Sequence, residues 1–108
     1  MLDPNDERGA KNLEILERLA AIFEKYDTYN IRIEGHAVNV TGTVREEREE
    51  LQPLSLHRAE QVMQAMIDAG INPRRITAVG LGGTEPVVPH TDEENRWKNR
   101  RVEFVLIR

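Results

Sequence analysis

Apolar residues recur at helical spacing in two long stretches of the chain. In residues 6–26 they return every three or four positions, which places them on one helical face: Leu13, Leu16, Leu19, Ala20 and Phe23. The second stretch runs over residues 55–69, with Ser55 as a natural N-cap and Gly70 as the stop. Its apolar stripe comprises Ala59, Val62, Met63, Met66 and Ile67. Both patterns predict amphipathic helices that pack on one core.

Three shorter stretches have the pattern of strands. Residues 30–34 alternate isoleucine with charged side chains, which predicts a half-buried strand that ends at Gly35. Residues 76–81 form a second candidate strand, followed by closely spaced glycines. Residues 102–107 are apolar almost throughout, which predicts a strand covered on both faces.

The connections complete an α/β pattern. Residues 41–53 are polar and acidic and finish with Pro53, so we expect a loop there. Thr91 and Glu94 form a capping-box pattern that predicts a short helix through about Lys98. Alternation of helices and strands is typical of an α/β sandwich, with helices packed on one sheet. Because a helix opens the chain, there is room for a first strand upstream of Met1.

Composition narrows the class of protein. The chain has 108 residues, which suits a single domain, and we expect that domain to be a fragment of a larger protein. It contains no apolar run near the roughly 18 residues that a membrane-spanning helix needs. The absence of cysteine excludes disulfides and thiolate metal sites. A net charge of −4 disfavours wholesale nucleic-acid binding.

Catalytic and cofactor chemistry finds little support in the sequence. The spacings of His36, His57 and His90 match no metal-ligand pattern, so we predict no metal site. The glycines of "GLGGTEP", residues 80–86, lack the helix that a dinucleotide fingerprint opens, and indicate a tight turn instead. No nucleophile and base set declares itself. We therefore expect no enzyme activity and no cofactor.

A basic stretch near the C-terminus offers a different chemistry. In "RWKNRRVEF", residues 96–104, one aromatic residue stands among four cations, a composition that suits nucleic acid. The alternative is a helix-to-strand junction whose arginines cap carbonyls or pair with Glu85 or Glu94. In that interpretation Arg96 and Arg100 serve the surface or local ion pairs.

Four segments together resemble one family. "LSLHRAEQVMQAMIDAGI" is similar to the L-S-x-x-R-A helix of the OmpA-like C-terminal domain family, and "VGLGGTEPV" to its G-x-G-x-x-x-P turn. "NRWKNRRVEFVL" resembles its R-x-x-N-R-R-V-E ending, and "IRIEGH" its second strand. The resemblance spans residues 13–108. It implies a non-catalytic βαβαβαβ-type two-layer sandwich on the periplasmic side of the cell envelope, which binds peptidoglycan and tethers the outer membrane to it.

The family resemblance also implies a binding pocket. Its members hold the zwitterionic diamino acid of the peptidoglycan stem between an aspartate of a G-H-T-D motif and the arginine of L-S-x-x-R-A. The arginine is present here as Arg58, and Asn99 and Arg101 match the terminal motif that borders or buttresses the pocket. The family's aspartate is absent, because the positions of G-H-T-D are occupied here by Gly35, His36, Ala37 and Val38.

Loss of the acid predicts weak or lost binding of the diamino acid. Removing one partner of a buried charge pair costs about 2–5 kcal/mol, or roughly 30- to several thousand-fold in affinity. Two alternatives stay open. The region after Val38 is longer than in the family and could supply a substitute acid from Glu46, Glu47, Glu49 or Glu50. Asn39 could also accept a hydrogen bond from an amine. The domain could instead be a protein or nucleic-acid interaction module that uses the basic stretch.

Overall fold

A three-stranded sheet forms one layer of the molecule. The computed structural model describes residues 7–108, with side chains from Leu13 onward. Strands β1 (Asn30–Gly35), β2 (Ile76–Gly80) and β3 (Val102–Ile107) lie in the order β2-β1-β3. Strand β1 runs parallel to β2 and antiparallel to β3. The predicted α/β class is therefore confirmed.

Two long helices form the second layer, α1 (Glu7–Lys25) and α3 (Gln52–Asp68). The predicted apolar stripes meet the inner face of the sheet, and the buried residues of this core include Leu16, Ala20, Phe23, Ile31, Ile33, Ala59, Val62, Met66 and Ile76. Phe23 packs on Phe104 of β3 with ring centroids 5.8 Å apart. Gly70, at φ +113°, follows the end of α3 as predicted. Within residues 7–108, none of the helices has the length and apolar character that crossing a bilayer requires.

Helix α3 lies unusually close to the ends of two strands. A Cβ atom at Gly35 would overlap the carbonyl oxygen of Ser55, and one at Gly80 would lie 2.5 Å from both the Gln52 oxygen and the Leu56 nitrogen. Glycine at these two positions therefore lets the backbones of β1 and β2 contact the first turns of α3.

The loop predicted over residues 41–53 is wrong. A short helix α2 (Val44–Glu46) and a π-helical turn (Glu47–Leu51) lead directly into α3, and the linking residues keep helical dihedral angles. The Thr43 side chain caps the start of α2 by accepting from the Glu46 N–H. Pro53 does not stop the helix: it lies where the π-helical turn joins the first turn of α3, and the backbone stays helical through it.

Ser55 is consequently not an N-cap, and that prediction is also wrong. It lies inside α3, fully buried, and its hydroxyl donates to the Gln52 carbonyl at 3.0 Å. The same hydroxyl accepts from the Gly82 N–H at 2.9 Å. Ser55 thus bonds the helix to the turn after β2.

The region before β3 also departs from expectation. No helix begins at Thr91; consecutive turns lead into a 3-10 helix at Arg96–Asn99. The Asp92 carbonyl, rather than a threonine cap, accepts from the Asn95 and Arg96 N–H groups. Strand β3 is not covered on both faces, because it is an edge strand whose Leu106 and Ile107 are 42% and 39% exposed.

Candidate functional site

Arg58 lies in an open cleft bordered by cations. It stands on α3 one turn after Ser55, and it lines a cleft of about 400 Å³ with Arg100, Arg101 and Val102. We call these four residues the basic cleft. The side chains of the described residues offer Arg58 no hydrogen bond or ion pair, and none of the four lining residues carries a carboxylate. Arg100, which the sequence placed on the surface, contributes to this cleft.

The segment that replaces the acid-bearing motif is buried. His36, Ala37 and Val38 are 1%, 3% and 4% exposed. The His36 N–H donates to the Arg101 carbonyl at 2.9 Å, and the Ala37 N–H donates to the Gly82 carbonyl at 2.8 Å. The backbone is thus held between the start of β3 and the glycine turn. Val38, which the sequence resemblance matches to the expected aspartate position, is one of these buried side chains.

Asn99 holds residues 87–90 in place from within the protein. It is fully buried, and its Oδ1 accepts from the Val87 and Val88 N–H groups at 2.9 and 3.1 Å. Its Nδ2 donates to the Val88 carbonyl at 2.9 Å and lies 3.1 Å from His90 Nδ1. The side-chain hydrogen bonds of Asn99 thus all go to residues 87–90.

Arg101 contacts the backbone at Glu85 and also lines the basic cleft. Its guanidinium donates to the Glu85 carbonyl at 2.9 Å, and its Nε lies 3.4 Å from Glu103 Oε1. It contacts the backbone of Glu85 rather than the side chain. The arginine is thus partly neutralised, whereas Arg58 beside it keeps its full capacity to bind an anion.

The acidic segment, residues 45–50, uses its best-placed carboxylates locally. Glu47 accepts from the Gly83 N–H at 2.9 and 3.0 Å and from Asn39 Nδ2 at 3.3 Å. Glu46 accepts from the Val40 and Thr41 N–H groups at 3.1 and 2.9 Å and from the Thr41 hydroxyl. The Thr41 hydroxyl is the main reason that the pKa of Glu46 is lowered.

The remaining candidate groups add no free acid to the basic cleft. Glu49 pairs with Arg45 at 3.1 Å on the surface, and Glu50 is exposed. Asn39 turns its Oδ1 toward the Gly42 N–H at 2.8 Å and its Nδ2 toward Thr43 and Glu47. None of these side chains lines the basic cleft.

Helical geometry separates the acidic segment from Arg58. Eight to twelve positions lie between these glutamates and the arginine, along helical turns that follow one another without a break. At about 1.5 Å per residue, the separation along the axis is on the order of 12–18 Å. The backbones of the two regions are therefore separated along the helical run, although they are close in sequence.

A second polar cluster, which the sequence did not predict, lies between β1 and β3. The antiparallel register places Glu34 directly opposite Glu103, and His36 is two residues beyond Glu34. His36 Nε2 lies 3.0 Å from Glu103 Oε2 and 3.9 Å from Glu34 Oε1. Histidine spacing alone could not reveal this set, because its members come from two distant parts of the chain. The alternation Arg32, Glu34, His36 was the available signal.

The family is established by sequence comparison. The sequence profile of the OmpA family matches residues 7–100. The match covers most of the chain, and it includes Arg58 and the buried residues 36–38. The chain belongs to the OmpA family. The resemblance noted from the sequence motifs is thereby confirmed.

Individual relatives show the same relationship. The chain is 34% identical over 103 residues to outer membrane porin F of Pseudomonas fluorescens, covering 95% of this chain and 28% of that protein. It is 35% identical over 94 residues to the peptidoglycan-binding protein ArfA of Mycobacterium tuberculosis, covering 86% of this chain and 27% of that protein. The chain thus spans less than a third of either relative.

A solved structure supports the fold. The periplasmic domain of Helicobacter pylori MotB superposes with a TM-score of 0.75 at 28% identity. The superposition covers 94% of this chain and 63% of the MotB domain. The two-layer arrangement described above is therefore an OmpA-like fold.

Proposed function

We propose that this chain is a non-catalytic envelope domain of the peptidoglycan-binding type whose hold on the diamino acid of the peptide stem is weak or lost. The observation that carries the proposal is the composition of the pocket. The described cleft offers Arg58, Arg100 and Arg101 to an anion, and no lining carboxylate to an ammonium group. A zwitterion needs both kinds of partner.

Burial of Val38 supports the loss of the ammonium subsite. A carboxylate at that motif position would hold a cation by a short, charge-assisted hydrogen bond. A hydrocarbon side chain provides no such contact and leaves the ligand ammonium desolvated without a partner. The cost is about 2–5 kcal/mol, which is roughly 30- to several thousand-fold in affinity. The arginines would still hold a carboxylate.

Rescue by the acidic segment is disfavoured by two observations. Glu46 and Glu47 are already bonded to backbone N–H groups, which fixes their direction. Helical rise places the whole segment on the order of 12–18 Å from Arg58. A substitute anchor built from these acids would require the helix that contains them to unwind.

The cellular setting follows from the relatives. One relative is named as a peptidoglycan-binding protein and another neighbour is a periplasmic domain. The domain accordingly belongs on the periplasmic side of a bacterial envelope. We infer that it is part of a larger protein, because the relatives it matches are about three times its length. A residual structural or protein-interaction role is consistent with an intact fold around an incomplete pocket.

Co-sedimentation with purified, insoluble peptidoglycan sacculi tests the proposal. The natural chain is compared with Val38→Asp, which restores the family acid, and with Val38→Asn, which has nearly the same shape without the charge. Arg58→Ala in the Val38→Asp background removes the opposite half of the pocket. Urea unfolding of each variant shows whether the protein is folded before it is mixed with sacculi.

We expect the natural chain and Val38→Asn to remain in the supernatant and Val38→Asp to sediment. Adding Arg58→Ala should release the Val38→Asp protein again. If the natural chain sediments and Arg58→Ala alone releases it, the proposed loss of binding is wrong. If Val38→Asp folds but stays in solution, the pocket lacks more than the aspartate and the proposal in this form fails.

A further inference from the structure

A buried histidine on the polar face of the sheet lacks an ordinary partner. His36 is 1% exposed, and neither of its ring nitrogens has a hydrogen-bond partner among the described residues. Buried polar atoms are satisfied in the great majority of cases, so an unsatisfied ring calls for an explanation. The nearest polar atoms are carboxylate oxygens of Glu34 and Glu103, which lie beside Nε2 without the direction that a hydrogen bond requires.

The spacing of these three side chains suits a small cation. One ligand atom from each residue lies within 4.8 Å of the other two. Tetrahedral ligands about 2.0–2.2 Å from zinc are separated from one another by about 3.3–3.6 Å. The two measured distances from His36 Nε2, 3.0 and 3.9 Å, fall on either side of that range. Small shifts of the two glutamates would close the site around an ion.

Two arginines orient the carboxylates. Arg32 holds Glu34 Oε2 at 2.8 Å, which leaves Oε1 directed toward His36. Arg101 Nε lies 3.4 Å from Glu103 Oε1, while Oε2 faces the imidazole. The Nη2 atom of Arg101 also lies 3.5 Å from that second oxygen, a long contact that an ion would replace. Groups that hold a ligand's other oxygen in this way commonly orient metal ligands.

We propose that Glu34, His36 and Glu103 form a site for a divalent transition-metal ion of the zinc type. Imidazole with two carboxylates is a donor set that zinc accepts, with water in the fourth position. Magnesium and calcium prefer sites made of oxygen atoms alone, so the imidazole selects against them. The ion would bridge β1 and β3 directly beside the buried segment at residues 36–38. It would fix that segment without entering the basic cleft.

Isothermal titration of chelator-treated protein with zinc chloride provides the test. Glu103→Gln is the principal variant, because its side chain is 46% exposed and the substitution should not disturb folding. His36→Gln removes the central ligand, with circular dichroism to check that it folds. His57→Gln, at an exposed position of α3, is the matched control for general histidine binding. Magnesium chloride replaces zinc chloride in a parallel titration.

We expect the natural chain and His57→Gln to bind one zinc ion per chain, with no comparable binding of magnesium. Affinity should fall at least about tenfold in Glu103→Gln, the loss that removal of even an orienting group causes. In the natural chain, the His36 ring resonances should shift when zinc is added. The proposal is overturned by absence of zinc binding, by unchanged affinity in Glu103→Gln, or by a loss that follows His57 instead.

Discussion

The basic cleft and the acidic segment carry opposite charge but do not form one site. In the cleft, Arg58 has no partner among the described side chains, and its neighbours are further cations. In the acidic segment, Glu46 and Glu47 are bonded to nearby backbone and side-chain donors. Arg58 and the acidic segment lie on the same helical run, separated by on the order of 12–18 Å along its axis. Opposite charges close in sequence are therefore not complementary unless the backbone brings them together.

The acidic segment is separated from Arg58 because residues 44–51 are helical. An extended loop could return toward Arg58, but residues 44–51 are helical and lead into α3. A helix advances in one direction, so each added turn carries the glutamates farther from the cleft. Glu47 then serves the glycine turn, where it accepts from the Gly83 N–H. Glu47 therefore joins the π-helical turn to the glycine turn.

The largest expected effect concerns the close contact between β2 and the first turns of α3, the helix that carries Arg58. Gly80→Ala would put a Cβ 2.5 Å from backbone atoms of Gln52 and Leu56, so the helix must move from the sheet. We expect a loss of about 3 kcal/mol or more in the free energy of unfolding, measured with urea. Gly42→Ala is the control, because its added Cβ meets nothing and only the φ of +70° costs about 1–2 kcal/mol. Equal losses in the two variants would contradict the close contact.

A smaller effect distinguishes two roles of Glu47, as a partner of the Gly83 N–H and as a substitute acid for the ligand. Glu47→Gln weakens the charge-assisted bonds to Gly83, and we expect a loss of about 1–2 kcal/mol in unfolding free energy. Glu49→Gln should change stability by less than about 0.5 kcal/mol, because Glu49 has only an exposed pair with Arg45. Neither substitution should alter sedimentation with sacculi. If the natural chain sediments with sacculi and only Glu47→Gln loses that binding, the substitute-acid interpretation is favoured.

The smallest effect is a dependence of stability on pH at Glu46. Hydrogen bonds from Thr41 lower the pKa of this carboxyl in the folded chain below its unfolded value. The resulting stabilisation is complete above the unfolded pKa and is lost as the pH falls through the folded pKa. Urea unfolding between neutral and acidic pH should therefore show a slightly shallower decline in Glu46→Gln than in the natural chain. A steeper decline in the variant would have the wrong sign.

Local patterns in the sequence were sufficient for the main elements of the fold. The stripes through Phe23 and Met66 became the core, and Gly70 ends α3 as expected. Residues 41–53 were misjudged because polarity and Pro53 indicated a loop. The local signal for a helix is Thr43, whose side chain caps the turn that begins at Val44 and continues through Pro53. The packing of this segment against the glycine turn, which the sequence does not show, favours the helix over the loop.

The candidate site was only partly accessible to sequence reasoning. Motif matching predicts a binding role for Arg58 and the loss of the acid, because both residues occupy fixed places in a motif. It could not find the cluster of Glu34, His36 and Glu103, because strand register alone brings the two glutamates face to face. It also could not judge the acidic segment, since its distance from Arg58 depends on whether the backbone is helical or extended.

Affinity for a soluble stem peptide that contains the diamino acid decides whether the ammonium subsite is lost. Isothermal titration would compare the natural chain with Val38→Asp under identical salt conditions. We expect an increase of roughly 30- to several thousand-fold in Val38→Asp, from weak or undetectable binding in the natural chain. Tight binding by the natural chain, unchanged or weakened by Val38→Asp, would contradict it.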